Sequence, residues 1–495
     1  MSRSLILAID QGTTNSKALL IDASGNVLTE ASRSVNIYYP QPGWVEQDPT
    51  ELWQTVLAVI QQVLGHQNPA NLAAIAITNQ RESVLIWERK TGTPLGPCIS
   101  WQCHRSEPLI DRFRRDGYEM TIRKKTGLTL DPMFSAGKAR WLLDSIPNGP
   151  SRAHAGELCF GTVDSWLLWN LSGGQVHACD VTNASRTQLF NLHTADWDDE
   201  LLGLFGLPRA MMPAVHPSGF IYSLSHPMGN LPGGIPIAAL IGDSHSALVG
   251  HAGLHPGSIK ATYGTGTSLM MPVSSPILSE HGLSTSIAWG YQGITYALEG
   301  NIYITGAAVQ WLAQFLGVNG PDEVEELARV VPDNQGVYFV PALVGLGAPY
   351  WDPHARGILV GITRGTTAAH AARAVIESIA FQIYDVFTAM QQDSGQPLHV
   401  LMADGGATRN QYLMQFQADL LGIPVIRSQV SDLSAMGAAY LAGLATGIWQ
   451  SFEQIESLPR PHQRFEPKMT ETQRNVLLEG WRNAVYRALS TTIPA

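Results

Sequence analysis

Residues 5–14, LILAIDQGTT, and residues 259–268, IKATYGTGTS, share one design: an apolar strand runs straight into a turn of glycine and threonine. Glycine allows close backbone approach and unusual φ, so successive N–H groups can converge on an anion, and threonine adds a hydroxyl donor. One such turn, taken alone, is an ordinary hairpin. A third, DGGAT at 404–408, follows another apolar run. Three at strand ends in one chain point to a phosphate ligand. The likeness of the first two is what a duplicated α/β fold facing one cleft would show.

The rest of the chain supports that reading. SLILAID and SKALLID, then VLTEASRSV beyond an ASGN turn, read as a meander of short strands. DPTELWQTVLAVIQQVLG reads as a helix. Asp48 and Pro49 sit where a cap and a first-turn proline belong, and Leu52, Val56, Val59, Ile60 and Val63 recur at helical spacing. LAAIAITNQ is then a strand, so strand–helix–strand order predicts an α/β fold with a partly parallel sheet. In the second half, residues 368–392 read as a long amphipathic helix. LHVLMADGGATRNQYLMQFQADLLG reads as strand, turn and helix, and SAMGAAYLAGLATG as a helix of small residues suited to close packing. At roughly 150 residues per domain, a chain of 495 residues holds two to four domains. The boundary is placed near residue 250, dividing 1–250 from 251–495.

Composition narrows the partners. A net charge of -10 and the lack of a basic run argue against nucleic acid. No run approaches the ~20 apolar residues of a membrane span, and the apolar start, broken by Asp10, is too short for a secretory leader. Cys98, Cys103, Cys159 and Cys179 form no CxxC pair and no zinc-like cluster with histidine. They read as neutral thiols of a reducing compartment, so the expectation is a cytoplasmic protein. GxxxxGK[ST] is absent, which excludes a P-loop enzyme, and no GxGxxG opens a helix after the first strand.

Phosphoryl transfer needs a metal, donors for phosphate oxygens and a carboxylate to take the acceptor's proton. Asp243 ends the apolar run PIAALIG and is either a cap for the following helix or a general base. Arg81 and Glu82 close the LAAIAIT strand, as a surface pair or as donor and acceptor for vicinal hydroxyls. Trp101 is core packing or an apolar face for a carbon chain. His104 and His245 read as packed or solvated histidines.

The chain resembles the FGGY carbohydrate kinases. AIDQGTTNSKALLID, GWVEQDP, AITNQRES, ISWQCHR, GTVDSWLLWNLSGG, TNASRTQLFNLHTADWD, ATYGTGTSLMM, ALEGNIYITGAAVQWL, DGGATRNQYLMQFQADLLG and MGAAYLAGLATG carry the likeness, in order and along nearly the whole length. The resemblance implies two actin-like, ribonuclease-H-like domains closing on a nucleotide and substrate cleft, with MgATP as donor and a small polyol as acceptor. Glycerol is the first expectation. Carried over by position, Asp10 helps hold Mg²⁺, and Thr13 and Thr14 lie by the phosphates. Gly264, Thr265 and Gly266 form the second phosphate turn, and Gly405, Gly406 and Ala407 lie by the nucleotide. Asp243 is the base, and Arg81, Glu82 and Trp101 hold the polyol.

Three positions depart from the pattern of the glycerol-phosphorylating members. DPYFS is here DPMFS, giving Met133; GDQQAA is GDSHSA, giving Ser244; GTGCF is GTGTS, giving Ser268. A pocket that loses a hydroxyl-reading group loses discrimination on the order of 1–3 kcal/mol. A roomier pocket is expected, with a longer polyol or ketose as the alternative substrate. An actin- or chaperone-type ATPase switch is the remote alternative. Such a switch needs no polyol pocket, and the tail after residue 463 leaves no room for a peptide-binding domain. The oligomeric expectation is a homodimer or homotetramer.

Overall fold

The computed structural model describes residues 4–65, 71–430 and 432–490. Two mixed sheets frame it. The first holds β1 (Leu5–Gln11), β2 (Asn15–Ile21), β3 (Val27–Ser34), β4 (Leu72–Asn79), β5 (Gly219–Leu224) and β6 (Pro236–Gly242), in the order β5-β6-β4-β1-β2-β3. The second holds β7 (Ser258–Tyr263), β8 (Thr267–Val273), β9 (Ser284–Gly290), β10 (Ile294–Ile302), β11 (Val400–Asp404), β12 (Val425–Ser428) and β13 (His462–Phe465), in the order β9-β10-β8-β7-β11-β12-β13.

The sheets repeat one plan. β1, β2 and β3 pair antiparallel, while β1, β4 and β6 pair parallel. Likewise β7, β8 and β10 pair antiparallel, while β7, β11 and β12 pair parallel. An antiparallel strand then edges each sheet, β5 beside β6 and β13 beside β12. The duplication read from the two Gly/Thr stretches is therefore present in the topology. In such sheets ligands bind outside the carboxyl ends of the parallel strands.

The helices form where the sequence places their signals. In α1 (Pro49–Leu64) the Asp48 side chain accepts hydrogen bonds from the amides of Thr50 and Glu51, and Leu52, Val56, Val59, Ile60 and Val63 are buried. Each buried side chain of this kind contributes about 1.5–3 kcal/mol, so the apolar face outweighs any single cap. Three strands between β4 and β5, Val84–Glu88, Cys98–Ile99 and Leu158–Thr162, join Glu46–Gln47 from before α1 in a smaller four-stranded sheet, with a core that includes Ile86, Phe113, Leu142 and Phe160.

Two helices tie the halves together. α2 (Asp243–Gly250) follows β6, while α6 (Leu433–Thr446), after α3 (Gly306–Leu316), α4 (Ala368–Ser394) and α5 (Gln411–Leu421), follows β12. α6 packs on the first sheet, joining Ala435, Ala438, Ala439 and Ala442 to Ile6, Ala8, Ala74, Ala76 and Ala238 in one buried cluster. α2 and α6 touch backbone to backbone. A Cβ at Gly437 would lie 1.8 Å from the Ser246 carbonyl oxygen, and one at Gly250 would lie 2.2 Å from that of Leu433. The small-residue pattern of α6 is thus a packing requirement, and it brings the N-termini of both helices to the strand ends of the first sheet. Among the described residues no helix is long and apolar enough to cross a membrane.

Candidate active site

Asp10, on β1, lies beside Thr78 of β4 and opposite Lys17 of β2. Its Oδ1 is buried and has no hydrogen-bond partner. Burial pushes its carboxyl well above the usual carboxylate range; the charges of Asp432 and Asp243 add to the rise, and Lys17 opposes it. Asp432 caps α6 by accepting from the Ala435 amide, and Lys17 Nζ reaches Asp432 Oδ2 at 3.0 Å. Three carboxylates thus gather with one ammonium where two helix N-termini meet, a setting that favours anionic groups.

Asp243 is the first residue of α2, and Gly242 holds the cap position with no side-chain cap bond. The helix-cap alternative for Asp243 is therefore set aside. Its Oδ1 accepts from Arg81 Nε at 3.1 Å and from the Ser244 amide at 2.6 Å, and 39% of its side chain is exposed. Burial raises its pKa, and the Arg81 guanidinium works against the rise. Gly242 lets Arg81 pass: a Cβ there would lie 2.7 Å from both Cγ and Cδ of Arg81.

Arg81 and Glu82 are buried and do not pair with each other, so they are not a surface pair. Arg81 Nη1 donates to Glu299 Oε1 at 2.8 Å, Glu299 Oε2 meets Arg186 Nη1 at 2.7 Å, and Arg186 Nε donates to Glu82 Oε1 at 2.5 Å. The result is an unbroken ionic chain, Asp243–Arg81–Glu299–Arg186–Glu82. Arg186 also lies over the Phe134 ring, 5.0 Å from its centroid. Glu82 takes a left-handed φ of 60°, a strain on the order of 1 kcal/mol that is common at ligand clamps.

Trp101 is half-buried rather than a core residue. Its indole N–H donates to Thr13 Oγ1 at 2.9 Å, and its amide donates to Ser83 Oγ at 3.0 Å. Gln47 Nε2 donates to the Thr13 carbonyl at 2.8 Å, and Gln80 Nε2 reaches the side-chain oxygens of Gln47 and Gln11. The 12–14 turn is therefore pinned to the Arg81 strand end. Thr14 is exposed and hydrogen-bonds only its neighbour Asn15 among side chains. Met133 is half-buried and held through its backbone, its amide donating to Asp131 Oδ1 at 2.7 Å and its carbonyl accepting from Lys138 Nζ at 2.5 Å. Burial lowers the Lys138 pKa to about 8, against the pull of Glu82. His104 is exposed, and buried His245 contacts Ser286 Oγ through Nε2 at 3.0 Å.

The second sheet contributes two turns and a polar link. Gly266 packs so closely that a Cβ would lie 2.4 Å from the Ile302 carbonyl oxygen. The Thr305 hydroxyl and the Gly306 amide, where α3 begins, both donate to the Gly264 carbonyl at 3.1 Å. Gly405 has a φ of 94°, and a Cβ there would lie 2.4 Å from the Tyr263 carbonyl oxygen, so the 264–266 and 405–407 turns adjoin. Beside Gly406 there is open space. Ser244 and Ser268 meet hydroxyl to hydroxyl at 2.8 Å, Lys260 Nζ donates to Ser244 Oγ at 2.5 Å, and Ser268 donates to Glu299 Oε1 at 3.0 Å. Lys260 also donates to Thr262, whose hydroxyl donates to Asp404 Oδ2, a partner of His251 Nε2 at 2.7 Å. Burial lowers the Lys260 pKa to about 8, with Asp404 pulling the other way.

Arg81, Asp243, Ser244 and Ser268 thus come together, as do Thr13 with Trp101 and the two glycine turns with each other. Sequence reasoning gave no role to Glu299, Arg186, Lys260, Lys17 or Asp432. One signal was visible for Glu299, a lone carboxylate inside the otherwise uncharged strand ITYALEGNI. Among the described residues no group of three or more His, Cys, Asp or Glu side chains converges as a metal cage. Mg²⁺ characteristically takes one or two carboxylates together with substrate phosphates. The orphaned Asp10 oxygen, a hard donor at the strand end, fits that kind of site.

Comparison with known proteins places the chain in a family. The N-terminal domain of the FGGY family of carbohydrate kinases matches residues 5–250, and the C-terminal domain of that family matches residues 259–446. Glycerol kinase 2 of Thermotoga maritima is 49% identical over 490 residues, 98% of each chain. Glycerol kinase of Deinococcus radiodurans is 49% identical over 488 residues, 98% of this chain and 97% of that one. The crystal structure of Plasmodium falciparum glycerol kinase with ADP aligns at a TM-score of 0.93 and 34% identity, covering 100% of this chain and 99% of that one. Xylulose kinase from Lactobacillus acidophilus shares the fold, with a TM-score of 0.86 at 22% identity over 99% of this chain and 100% of that one.

Proposed function

The chain belongs to the FGGY family of carbohydrate kinases, and on that premise we propose that it transfers the γ-phosphoryl group of ATP to a primary hydroxyl of glycerol, giving glycerol 3-phosphate and ADP. The observation that carries this reading is Asp243, a partly exposed carboxylate held by Arg81 at the carboxyl end of a parallel strand.

The roles follow from chemistry and position. Arg81 donates to, and Glu82 accepts from, the hydroxyls that are not phosphorylated, and Trp101 covers the carbon chain. Asp243 accepts the proton of the primary hydroxyl as its oxygen bonds to the γ-phosphorus and the bond to the ADP oxygen breaks. A carboxyl with a raised pKa is the stronger base for that step. The Gly264–Gly266 and Gly405–Ala407 turns direct amides at the nucleotide, with Thr13, Thr14 and Thr265 beside its phosphates. Mg²⁺ fits beside Asp10, where it would offset charge on the phosphate oxygens. Closing the lobes excludes water from the reacting atoms. The four buried, free cysteines support a cytoplasmic location.

A longer polyol or ketose is the second reading, favoured by the Ser244–Ser268 hydroxyl pair beside Asp243. Two small hydroxyl-bearing side chains suit a substrate with further hydroxyls to bind. The test is ADP release measured over glycerol, tetritols, pentitols and ketopentoses. The expected result is the highest kcat/KM on glycerol. A pentitol or ketopentose preferred tenfold would transfer the assignment to the second reading.

A further inference from the structure

Glu299 lies in the second sheet, opposite Met270 on one side and Ser284 on the other, and is fully buried. Its neighbours on β10 are apolar or glycine, so nothing in the strand itself asks for a carboxylate. A buried carboxylate is tolerated only with partners that replace its water. Glu299 Oε1 accepts hydrogen bonds from Arg81 Nη1 at 2.8 Å and Ser268 Oγ at 3.0 Å, and its Oε2 forms an ion pair with Arg186 Nη1 at 2.7 Å.

Both arginines belong to the first lobe. Arg186 follows the short helix Val181–Ala184 and has its side chain fully buried. Its Nε is the ionic partner of Glu82. Arg81 in turn touches Asp243. One side chain of the second lobe therefore sits between the two residues proposed to read the polyol. Burial acts to raise the Glu299 pKa, but Arg186 and Arg81 outweigh burial and hold the carboxyl below the usual carboxylate range. It stays ionised.

We infer that Glu299 is the positioning residue of the polyol pocket, fixing Arg81 directly and Glu82 through Arg186, so that the pocket of the first lobe is complete only with the second lobe in place. This rests on the polyol-reading roles of Arg81 and Glu82 given above. The two turns proposed for the nucleotide lie outside the ionic chain. A loss of Glu299 should accordingly fall on one substrate. A residue that merely stabilised the fold would disturb both.

The experiment compares full-length Glu299→Gln, Glu299→Asp and Glu82→Gln, measuring KM for glycerol, KM for ATP and kcat, with thermal unfolding as a check on folding. Glu299→Gln leaves two buried guanidinium groups without their counter-charge. It should raise KM for glycerol about 10–100-fold, the weight of a hydrogen bond to a charged group, while KM for ATP stays within about twofold. Glu299→Asp keeps the charge but is too short to span both arginines, and should fall between. If Glu299→Gln does not fold, Glu299→Asp must still show the glycerol-only effect. Equal rises in both KM values, or an unchanged glycerol KM beside a raised one in Glu82→Gln, would overturn the inference alone. Unchanged glycerol KM in both Glu299→Gln and Glu82→Gln would remove the pocket assignment and the inference with it.

Discussion

The first hairpin of each lobe follows one topology and presents different chemistry. In the first lobe β1 and β2 set Asp10 opposite Lys17; in the second, β7 and β8 set Thr262 opposite Ser268. The parallel neighbours differ in the opposite sense: Thr78 lies beside Asp10, whereas Asp404 lies beside Thr262. At its tip the first hairpin is pinned by the side chains of Gln47, Gln80 and Trp101, whereas the second is held through the Gly264 and Thr265 carbonyls by Thr305, Gly306 and Ala307. A duplicated scaffold has thus divided its work. On the proposed function, Asp10 and Asp243 of the first lobe handle the cation and the proton, and the glycine turns of the second receive the nucleotide.

The sharpest way to break this contrast is Asp243→Asn. A neutral amide cannot take the alcohol's proton, so kcat should fall about 10²–10⁴-fold, with little change in nucleotide binding measured by calorimetry. The wild-type acid limb should agree in direction. Because the Asp243 pKa is raised, kcat/KM should fall, as pH drops, at a value above the ordinary carboxylate range. Near-normal turnover in the variant would remove the base from the first lobe.

A smaller effect tests the second lobe, through adjacent glycines. Gly405→Ala must adopt a positive φ and meets the Tyr263 carbonyl, so it should lose about 1–3 kcal/mol of stability. Gly406→Ala faces open space. It should leave stability within about 0.5 kcal/mol while raising KM for ATP several-fold. Equal stabilities would contradict the packing account, and an unchanged KM for ATP in Gly406→Ala would move the nucleotide elsewhere.

Much of this was legible in the sequence because it is local. Apolar runs ending in Gly/Thr turns mark strand ends, and Asp48 with Pro49 marks the start of α1. The small residues of α6 announced close contact, but not that the contact is with the other half of the chain. The linkage of the ionic chain was not legible, although Arg81, Glu82 and Asp243 stood out singly and Glu299 was visible as a lone carboxylate in its strand. Arg81 and Glu299 are separated by 218 positions, and no local pattern states that a buried carboxylate in one sheet will neutralise guanidinium groups from another lobe. Arg186 stood inside a quoted motif without a role, since its partners are set by tertiary packing alone.

The central claim is that the two sets of strand ends hold one reaction between them, the anion on the glycine turns and the base opposite. A crystal structure with Mg²⁺, a non-hydrolysable ATP analogue and glycerol tests it directly. The account predicts a primary hydroxyl of glycerol within about 2.6–3.2 Å of the Asp243 carboxylate, facing the terminal phosphorus, with the metal beside Asp10 and the remaining phosphates against residues 264–266 and 405–407. A terminal phosphate bound away from Asp10 and Asp243, with the glycine turns empty, would contradict it.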